Sequence, residues 1–357
     1  MVNAPQTVQA IRWHEIDDLQ LDTIEVPKLK DDYVLVKNMW SGICAGDRWI
    51  WHQGLFIDRQ NYYPAIMGHE GSSEVLELGK NVVTDALGQP LEVGDMVCYQ
   101  DNVGCGKCVF CREGAVNVCH NKKVAAQKPG HMVQYFTYPT PQLIKVEGIT
   151  PKQGALVEPA SVALHGTLRA EIKMGDTVLI LGIGPVGLFR VQHVRMQGAG
   201  KIIVSEPQEF KRKLARDLGA DIVVDPREQD IVKLVKDATD GNGADVAFED
   251  SGHAQLEAID AVRPRGTVMI TGVRAKPISI NFTTKVMLDE VTIRGSNGYS
   301  VWWDRKHDYL TTAELMRTGR LKTDPVISHE FPIEKYDEAF KTSDDPSKAV
   351  KVIIKLT

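Results

Sequence analysis

The pattern of hydrophobic and polar positions changes once along the chain, near residue 176. Before it, short segments such as DYVLVKNMW and SSEVLELG are separated by Gly and Pro turns, which is typical of β-strands. After it, apolar runs such as TVLIL, KIIVSE and DIVVD alternate with helical stretches such as EFKRKLARDLG. Apolar runs separated by helices predict a parallel sheet that is buried on both faces. We therefore expect a mostly β domain followed by a doubly wound α/β domain.

The order of these segments also predicts where the domains begin and end. The last strand of the α/β domain is predicted at 291–296, followed by a helix at 302–319 and a closing strand at 351–356. A chain of 357 residues is long enough for two cores, since single cores usually stop growing near about 250–300 residues. We expect the final residues to return to the first domain, so that the mostly β domain comprises 1–155 and 300–357 and the α/β domain comprises 156–299.

Composition and charge exclude several classes of protein. The 42 basic and 47 acidic side chains are mixed throughout and leave a formal net charge of −5, so we expect no nucleic-acid partner. No apolar run approaches the ~20 residues that span a bilayer, and the first residues lack the pattern of a secretory signal. We expect a cytoplasmic protein with no membrane partner.

Four of the six cysteines are clustered in one short polar segment. They are spaced as Cys105-x2-Cys108-x2-Cys111-x7-Cys119, within a lobe predicted at 98–120. Four thiolates at this spacing can converge on one tetrahedral ion, and a structural zinc is the expected occupant. Disulfides would need an oxidising compartment, and the ferredoxin-type cluster run ends in x3-Cys-Pro, which this segment lacks.

A glycine motif directly follows the predicted strand TVLIL and precedes a predicted helix. In this context the first glycine allows a tight turn, the second lets backbone N–H groups approach a pyrophosphate, and the third lets the helix pack on the strand. The motif predicts a dinucleotide site, and the alternative is that its glycines only form a turn. Its residues are Gly182, Ile183, Gly184, Pro185, Val186 and Gly187.

Glu206 strengthens the interpretation of a dinucleotide site. It ends the second strand 19 residues beyond Gly187, where a carboxylate can accept hydrogen bonds from the adenosine ribose hydroxyls. We therefore expect NAD rather than NADP, whose 2′-phosphate Glu206 would repel. Lys211 is a further candidate cofactor-binding residue, and Lys211 and Arg212 lie close enough in sequence to weaken that discrimination. In the alternative interpretation, Glu206 only caps or solvates the following helix.

Three further segments carry candidate metal ligands that are far apart in sequence. They contain Cys44, His69 with Glu70, and Glu158. Taken singly, each has an ordinary structural explanation: a buried small hydrophobe, a core histidine or a solvated carboxylate.

These segments together resemble the zinc-dependent medium-chain alcohol and polyol dehydrogenases, especially the branch of sorbitol and threonine dehydrogenases. GICAGD, GHEGSSEV, the cysteine lobe, VEPASVALH and GIGPVG occur in that family's order and approximate spacing, and the resemblance covers essentially the whole chain. It implies a GroES-like, mostly β catalytic domain joined to a Rossmann NAD-binding domain, in a homodimer or homotetramer.

The resemblance also implies two zinc ions per chain. The catalytic zinc would be held by Cys44, His69, Glu70 and Glu158, with the two glutamates as resting or exchanging ligands and Asp47 orienting His69. The cysteine lobe would hold the structural zinc. A catalytic zinc needs about three protein ligands and an open position, where it lowers the pKa of an alcohol or polarises a carbonyl.

Several positions depart from the family pattern. Gly46 stands where many relatives have a Ser or Thr that relays the alcohol proton, and Trp49 stands where many have His or another polar relay residue. An Arg near Gly298–Tyr299, frequent in polyol and threonine dehydrogenases, and a His before the cysteine lobe, found in threonine dehydrogenases, are also absent. These departures lower our expectation for threonine and leave the proton route open.

Aromatic residues follow both the zinc cysteine and the last Rossmann strand. Rings at these places either wall a substrate cleft for a bulky apolar alcohol or fill a core or subunit interface. They are Trp49, Trp51, Phe56, Tyr299, Trp302 and Trp303. The histidines His120, His131 and His165 are expected to be structural or exposed.

We therefore predict a zinc-dependent, NAD-linked dehydrogenase that interconverts a secondary alcohol and a ketone, with bulky, cyclic or hydrophobic alcohols as candidates. One alternative is a polyol or sugar dehydrogenase. A second is a protein that binds zinc and NAD without turnover.

Overall fold

The computed structural model describes residues 4–54, 63–122, 129–273, 276–300 and 306–357. The chain forms two compact units. Unit 1 is Met1–Glu158 with Tyr299–Thr357, and unit 2 is Pro159–Gly298.

The elements are numbered in chain order. The strands are β1 Thr7–Glu15, β2 Asp18–Glu25, β3 Tyr33–Gly42, β4 Ala65–Ile66, β5 Glu70–Leu78, β6 Met96–Tyr99, β7 Tyr135–Pro139, β8 Leu143–Lys145, β9 Thr177–Leu181, β10 Lys201–Ser205, β11 Ile222–Val224, β12 Ala244–Glu249, β13 Val262–Ile270, β14 Thr292–Gly295, β15 Ile327–Pro332 and β16 Lys351–Lys355. The α-helices are α1 Ala45–Gln53, α2 Val109–Arg112, α3 Pro151–Gly154, α4 Val157–Arg169, α5 Pro185–Met196, α6 Glu209–Asp217, α7 Ile231–Asp237, α8 Gln255–Ala261, α9 Asp308–Arg317 and α10 Tyr336–Asp344. Within the described ranges, no helix has the length and hydropathy needed to span a membrane.

Unit 1 is built mainly from short strands, as the sequence predicts, and these strands form two sheets. Strands β2, β1 and β4 form a three-stranded antiparallel sheet. The larger sheet has the order β15-β16-β3-β5-β6-β8, and β7 also pairs with β3. Successive side chains of a strand point to opposite faces, so alternate residues share one core. That core includes Val34, Val36, Val75, Val97, Tyr99, Tyr138 and Leu143.

The closing strand of unit 1 places a charged residue next to the start of α1. Strand β16 runs antiparallel to β3 with Ile353 opposite Gly42, and the backbone N–H of Ile43 donates to Val352 O at 3.0 Å. Lys351, the first residue of β16, is therefore brought beside the segment that leads into α1.

Unit 2 is a six-stranded parallel sheet with the order β11-β10-β9-β12-β13-β14. Counted from β9, this is the 3-2-1-4-5-6 order of a doubly wound sheet, so the predicted fold class is confirmed. Strands β9 and β10 are buried from their second residue onward. The strand order reverses at β9, and ligands of such sheets bind beyond the carboxyl ends of the strands at that point.

The helix predicted at 302–319 is shorter in the structure. Helix α9 starts directly after its N-cap His307, whose Nδ1 accepts a hydrogen bond from Tyr309 N at 3.2 Å. Gly319 follows with a φ of 70°, a conformation that favours glycine and stops the helix. Residues 301–305 lie outside the described part of the chain.

Candidate active site and metal centres

Cys44 is held at the start of α1 by a reciprocal pair of hydrogen bonds. Its Sγ accepts from Gly46 N at 3.4 Å, and its own backbone N–H donates to Asp47 Oδ2 at 2.8 Å. This capping box satisfies backbone N–H groups that a helix start would otherwise leave unpaired. One local motif therefore fixes both the thiol of Cys44 and the buried carboxylate of Asp47.

The same carboxylate lies next to His69. Asp47 Oδ1 is 3.4 Å from His69 Nδ1, an ion-pair distance rather than a short hydrogen bond. Burial lowers the pKa of His69, but the negative charges of Asp47 and Cys44 outweigh that effect and raise the pKa well above its ordinary value. Negative charge is thus concentrated around this imidazole, which suits a bound cation.

The structure brings together three of the four predicted ligands of a catalytic zinc. One ligand atom each from Cys44, His69 and Glu70 lies within 4.8 Å of the others, although Glu70 is far from Cys44 in sequence. Glu158 is not part of that group. A thiol, an imidazole and a carboxylate at this spacing match the donor set of a zinc site that keeps one position open.

Glu70 has a partner that sequence reasoning missed. Lys351 Nζ donates to both carboxylate oxygens of Glu70, at 2.7 and 2.6 Å, and to Ile43 O at 3.0 Å. The side chains of Glu70 and Lys351 are only 1% and 2% exposed. The sequence signal for Lys351 is weak: a lysine between Val350 and Val352, at the start of a strand whose next three residues are apolar.

Glu158 is buried at the start of α4 with a strongly altered titration. Burial raises its pKa to about 8, with further raising by Glu70 and Asp101, while His69 and Lys351 act in the opposite direction. A carboxyl group in this environment readily carries a proton at neutral pH. Glu158 therefore combines burial with a pKa suited to exchanging protons.

Gly46 leaves room for a side chain near the candidate ligands. A Cβ added there would lie 3.8 Å from Cys44 Sγ and 3.9 Å from His69 Cε1, which are ordinary contacts. The space at position 46 would therefore admit the Cβ of a Ser or Thr, so crowding does not explain why this chain has Gly there.

The predicted aromatic residues have different environments. Trp51 belongs to the core of unit 1 and packs edge-on against Phe340, and Tyr299 is fully buried and donates to Asp101 Oδ1 at 2.6 Å. For these two rings the structure favours the interpretation as core residues. Trp49 is half-buried. Phe56, Trp302 and Trp303 lie outside the described residues.

The four lobe cysteines converge as their spacing predicts. Cys108 Sγ lies 3.5 Å from Cys111 Sγ and 3.7 Å from Cys119 Sγ, and Cys105 Sγ is 4.0 Å from Cys111 Sγ. A tetrahedral zinc with Zn–S bonds of about 2.3 Å separates its sulfur ligands by about 3.8 Å. All four are free thiols, so the lobe fits a zinc site and the disulfide alternative is wrong in this structure.

The protein backbone around the lobe already stabilises one thiolate. The N–H groups of Lys107 and Cys108 lower the pKa of the Cys105 thiol to about 6, whereas burial raises the pKa of Cys111 to about 12. Gly104 is required here, because a Cβ at this position would lie 2.6 Å from Cys111 Sγ. Full ionisation of the four thiols needs a cation between them.

The glycine motif lies at the carboxyl end of β9, where the strand order reverses. Gly182 has a φ of 96°, and a Cβ on Gly187 would lie 2.3 Å from Gly182 O, so both positions require glycine. A Cβ on Gly184 would instead point into open space, and α5 begins after it without a side-chain cap. An open, uncapped helix start fits a pyrophosphate group.

Glu206 is tied to the glycine motif by a direct hydrogen bond. Its Oε2 accepts from Ile183 N at 2.9 Å, and its Oε1 accepts from Gln208 N at 2.9 Å. The carboxylate keeps lone pairs for further donors such as ribose hydroxyls. Lys211 is buried, with Nζ 5.7 Å from the ring centroid of Phe210.

The remaining histidines have structural or exposed environments. His131 is fully buried with Nε2 2.9 Å from Ser73 Oγ, and burial lowers its pKa to about 3. His165 is also buried, and His120 is exposed beside the ring of Phe110. The group of lobe cysteines and the group around Cys44 are the potential metal sites found among the described residues, and neither includes these histidines.

Comparison with known families and proteins covers most of the chain. Residues 30–148 match the family model of the alcohol dehydrogenase GroES-like domain, and residues 185–317 match that of the zinc-binding dehydrogenase domain. The L-threonine 3-dehydrogenase of Pyrococcus horikoshii is 36% identical over 327 residues, 90% of this chain and 91% of that protein. The sorbitol dehydrogenase of Bacillus subtilis is 30% identical over 345 residues, 94% of each chain.

Solved structures show the same similarity. A putative zinc-binding dehydrogenase from Sinorhizobium meliloti bound to NADP has a TM-score of 0.87 at 28% identity, over 98% of this chain and 100% of that one. The 2R,3R-butanediol dehydrogenase from Bacillus subtilis has a TM-score of 0.86 at 28% identity, with the same coverage.

Proposed function

This chain belongs to the zinc-dependent medium-chain dehydrogenases, which oxidise alcohols and polyols, and we propose that it interconverts a secondary alcohol and a ketone with NAD and two zinc ions. The observation that carries the proposal is the convergence of Cys44, His69 and Glu70 in unit 1. Cys44 caps α1, His69 directly precedes β5 and Glu70 is the first residue of β5, and a fold without a metal has no evident reason to concentrate them.

Each candidate ligand has a distinct role in the proposed catalytic centre. Zinc bound there would polarise the substrate oxygen, and a bound nicotinamide would exchange the hydride. Cys44 and His69 would hold the ion, and Asp47 would orient the imidazole. Lys351 holds Glu70 in a buried ion pair, and Glu158 remains the proposed exchanging ligand, a buried carboxyl group that interacts electrostatically with His69 and Glu70.

The second zinc ion is proposed for the cysteine lobe. Four thiolate ligands complete a tetrahedral shell and leave no position for substrate, so this ion has a structural role. Sulfur separations between 3.5 and 4.0 Å support the assignment.

NAD is proposed as the cofactor because of Glu206. Its buried carboxylate lies at the end of β10, where it can accept hydrogen bonds from ribose hydroxyls and would repel a 2′-phosphate. The relative bound to NADP shows that this family also contains proteins that bind the phosphorylated cofactor, so the preference is a property to measure.

The substrate proposal starts from the chemistry of the relatives. The similar proteins act on a hydroxyl group of L-threonine, sorbitol or butanediol according to their names. The stretch 295–304, which contains Gly298 and Tyr299, has no Arg, which argues against a carboxylate-bearing substrate, and the half-buried Trp49 favours an apolar one. A polyol or sugar is the second candidate, supported by the sorbitol dehydrogenase relative.

A substrate panel tests the proposed activity. Purified protein is incubated with NAD and, separately, with secondary alcohols, sorbitol, a sugar and L-threonine, and NADH formation is followed by absorbance. We expect the fastest turnover with a secondary alcohol, and loss of turnover after treatment with a chelator, because the substrate oxygen then lacks its Lewis acid.

The outcomes of the panel are distinct. Fastest turnover with sorbitol or the sugar would favour the second candidate, and fastest turnover with L-threonine would show that the missing Arg has been replaced by another carboxylate-binding group. Full activity after complete removal of zinc would contradict the proposed catalytic centre.

The proposed location is the cytoplasm. The described cysteines are all free, which suits this reducing compartment.

The proposed oligomeric state rests on the edge of the unit 2 sheet. Unit 2 ends in the edge strand β14, and the segment 282–293 around it exposes apolar side chains. Phe282, Met287 and Leu288 are 64%, 63% and 67% exposed, and Ile293 on β14 is 37% exposed. An exposed edge with apolar neighbours favours pairing with a second copy, hence a homodimer or a homotetramer.

A further inference from the structure

Charged side chains next to Glu206 form a network of ion pairs within unit 2. We call the residues Glu206, Glu209, Arg212, Asp225 and Arg227 the Asp225 cluster. Glu206 follows β10 and Asp225 follows the neighbouring strand β11, and the two strand ends are linked by a hydrogen bond from Glu206 N to Val224 O at 3.1 Å. The two carboxylates therefore lie at the same edge of the parallel sheet.

Asp225 binds both arginines of the cluster. Its Oδ2 accepts from Arg212 at 3.0 Å and from Arg227 at 2.5 Å, and its Oδ1 accepts from Arg227 Nε at 2.9 Å. The side chain of Asp225 is buried, and its hydrogen bonds with Arg227 hold its pKa well below the usual range. Asp225 is therefore ionised at neutral pH, and both of its carboxylate oxygens already accept hydrogen bonds from arginine side chains.

The two arginines differ in how firmly they are held. Arg212 also donates to Glu206 O, to Pro207 O and to the carboxylate of Glu209, and it is nearly buried. Arg227 is held by Asp225 and by one hydrogen bond to Pro207 O, and its side chain is 64% exposed. Arg227 is therefore the guanidinium that can move if Asp225 no longer binds it.

A free guanidinium in this place would change which cofactor binds. Arginine recognises phosphate groups with two parallel hydrogen bonds, and an arginine near the ribose is the usual means of accepting a 2′-phosphate. In this chain the Arg227 guanidinium already binds the Asp225 carboxylate, so it is not available to a phosphate group. Glu206 alone would repel a 2′-phosphate, but a released Arg227 would offset that repulsion.

We propose that Asp225 is a positioning residue for cofactor selectivity, which keeps Arg227 bound and so prevents it from accepting the 2′-phosphate of NADP beside Glu206. The inference rests on the proposed preference for NAD and extends it to a residue outside the glycine motif. It assigns the preference to two carboxylates: Glu206, which would accept hydrogen bonds from the ribose, and Asp225, which binds an exposed arginine that interacts electrostatically with Glu206.

The test compares cofactor affinities of the full-length, zinc-loaded protein by calorimetric titration with NADH and with NADPH. In Asp225→Asn we expect NADPH to bind about tenfold more tightly, the size of effect typical of a hydrogen bond between charged groups, and NADH affinity to stay unchanged. If Asp225 had a purely structural role, the substitution would weaken the binding of NADH and NADPH equally, and the ratio of the two affinities would stay constant.

A matched control removes another carboxylate from the same unit. Asp245 accepts from Arg263 Nε at 2.6 Å and lies at the start of β12, the opposite end of the parallel strands. Asp245→Asn changes the net charge and an arginine pair in the same way, and we expect no change in the ratio of NADPH to NADH affinity.

Arg227→Gln makes the test independent of the folding of Asp225→Asn. In the wild-type background it should leave NADPH affinity unchanged, and combined with Asp225→Asn it should remove the gain. Weaker NADPH binding by Arg227→Gln alone would show that Arg227 already reaches the phosphate, which overturns the inference. If wild type prefers NADH and Asp225→Asn leaves the ratio of NADPH to NADH affinity unchanged, the inference about Asp225 is overturned. The proposed preference for NAD then still stands. A wild type that prefers NADPH overturns the proposed NAD preference and this inference with it.

Discussion

At the scale of single residues, the pair of Glu70 and Lys351 is an ion pair that is almost completely removed from water. Two charges removed from water are stabilised only when they pair and their hydrogen bonds are complete. Both oxygens of Glu70 accept from Lys351 Nζ, which also donates to Ile43 O. Gly42 makes the arrangement sterically feasible, because a Cβ there would lie 2.0 Å from Glu70 Oε2.

Replacing the lysine should strongly destabilise the protein. In the zinc-free protein, Lys351→Met leaves the Glu70 carboxylate buried without a counter-charge, and we expect the free energy of unfolding to fall by about 3–5 kcal/mol relative to zinc-free wild type. Lys335→Met is the control, because its Nζ pairs with Glu338 at 3.4 Å on an exposed surface, where such pairs contribute at most about 1 kcal/mol. Urea unfolding measures both. Equal losses in the two variants would show that the buried pair contributes no more to the free energy of unfolding than an exposed pair does.

At the scale of elements, the two candidate metal centres rest on different kinds of support. Helix α1 contributes buried residues to the core of unit 1, and its capping box forms without any metal. Helix α2 of the lobe, Val109–Arg112, has four residues and buries none of them. A helix this short is unstable by itself, so the lobe depends on whatever binds its cysteines.

Two serine substitutions should therefore have opposite effects. Cys108→Ser should reduce the zinc content from two to one per chain and lower the Tm, since the lobe loses its ligand set. Cys44→Ser should keep the Tm close to that of wild type, because serine also caps helices, and should remove turnover. Elemental analysis, thermal unfolding and the NADH assay distinguish the two. A Cys108→Ser protein with unchanged zinc and Tm would not fit a structural zinc in the lobe.

The sequence predicted those elements whose signal is local. The apolar runs of β9 and β10 and the spacing of the lobe cysteines each specify a structure within a few residues. Lys351 and Asp225 gain their roles only from strand neighbours, β3 in one case and β10 in the other, and pairing of that kind leaves no mark in a local pattern. Trp51 illustrates the same point, since its core environment depends on Phe340, far away in sequence.

At the scale of the whole molecule, the open edge of the unit 2 sheet requires an explanation. Strand β14 pairs with β13 on one side, and no strand among the described residues pairs with its other side. Its residues are largely exposed, and the apolar segment 282–293 borders them. Proteins normally protect such an edge, and a second copy of the chain would protect it here.

Charged residues on this edge should dissociate the assembly. We expect wild-type protein to have the mass of two or four chains in light scattering coupled to size exclusion, and Phe282→Asp with Ile293→Lys to have a smaller mass. The control is Val83→Asp with Val93→Lys, which changes exposed valines of unit 1 in the same way. Identical masses for wild type and the edge variant would place the interface elsewhere.

The hydrogen bond from Ile183 N to Glu206 links the residue proposed to select the cofactor to the backbone proposed to bind its pyrophosphate. Removing the carboxylate to admit NADP would also release the backbone of the glycine motif, on which every dinucleotide depends. Redesign toward NADP should therefore leave Glu206 in place and begin at Asp225, whose partners lie outside that motif.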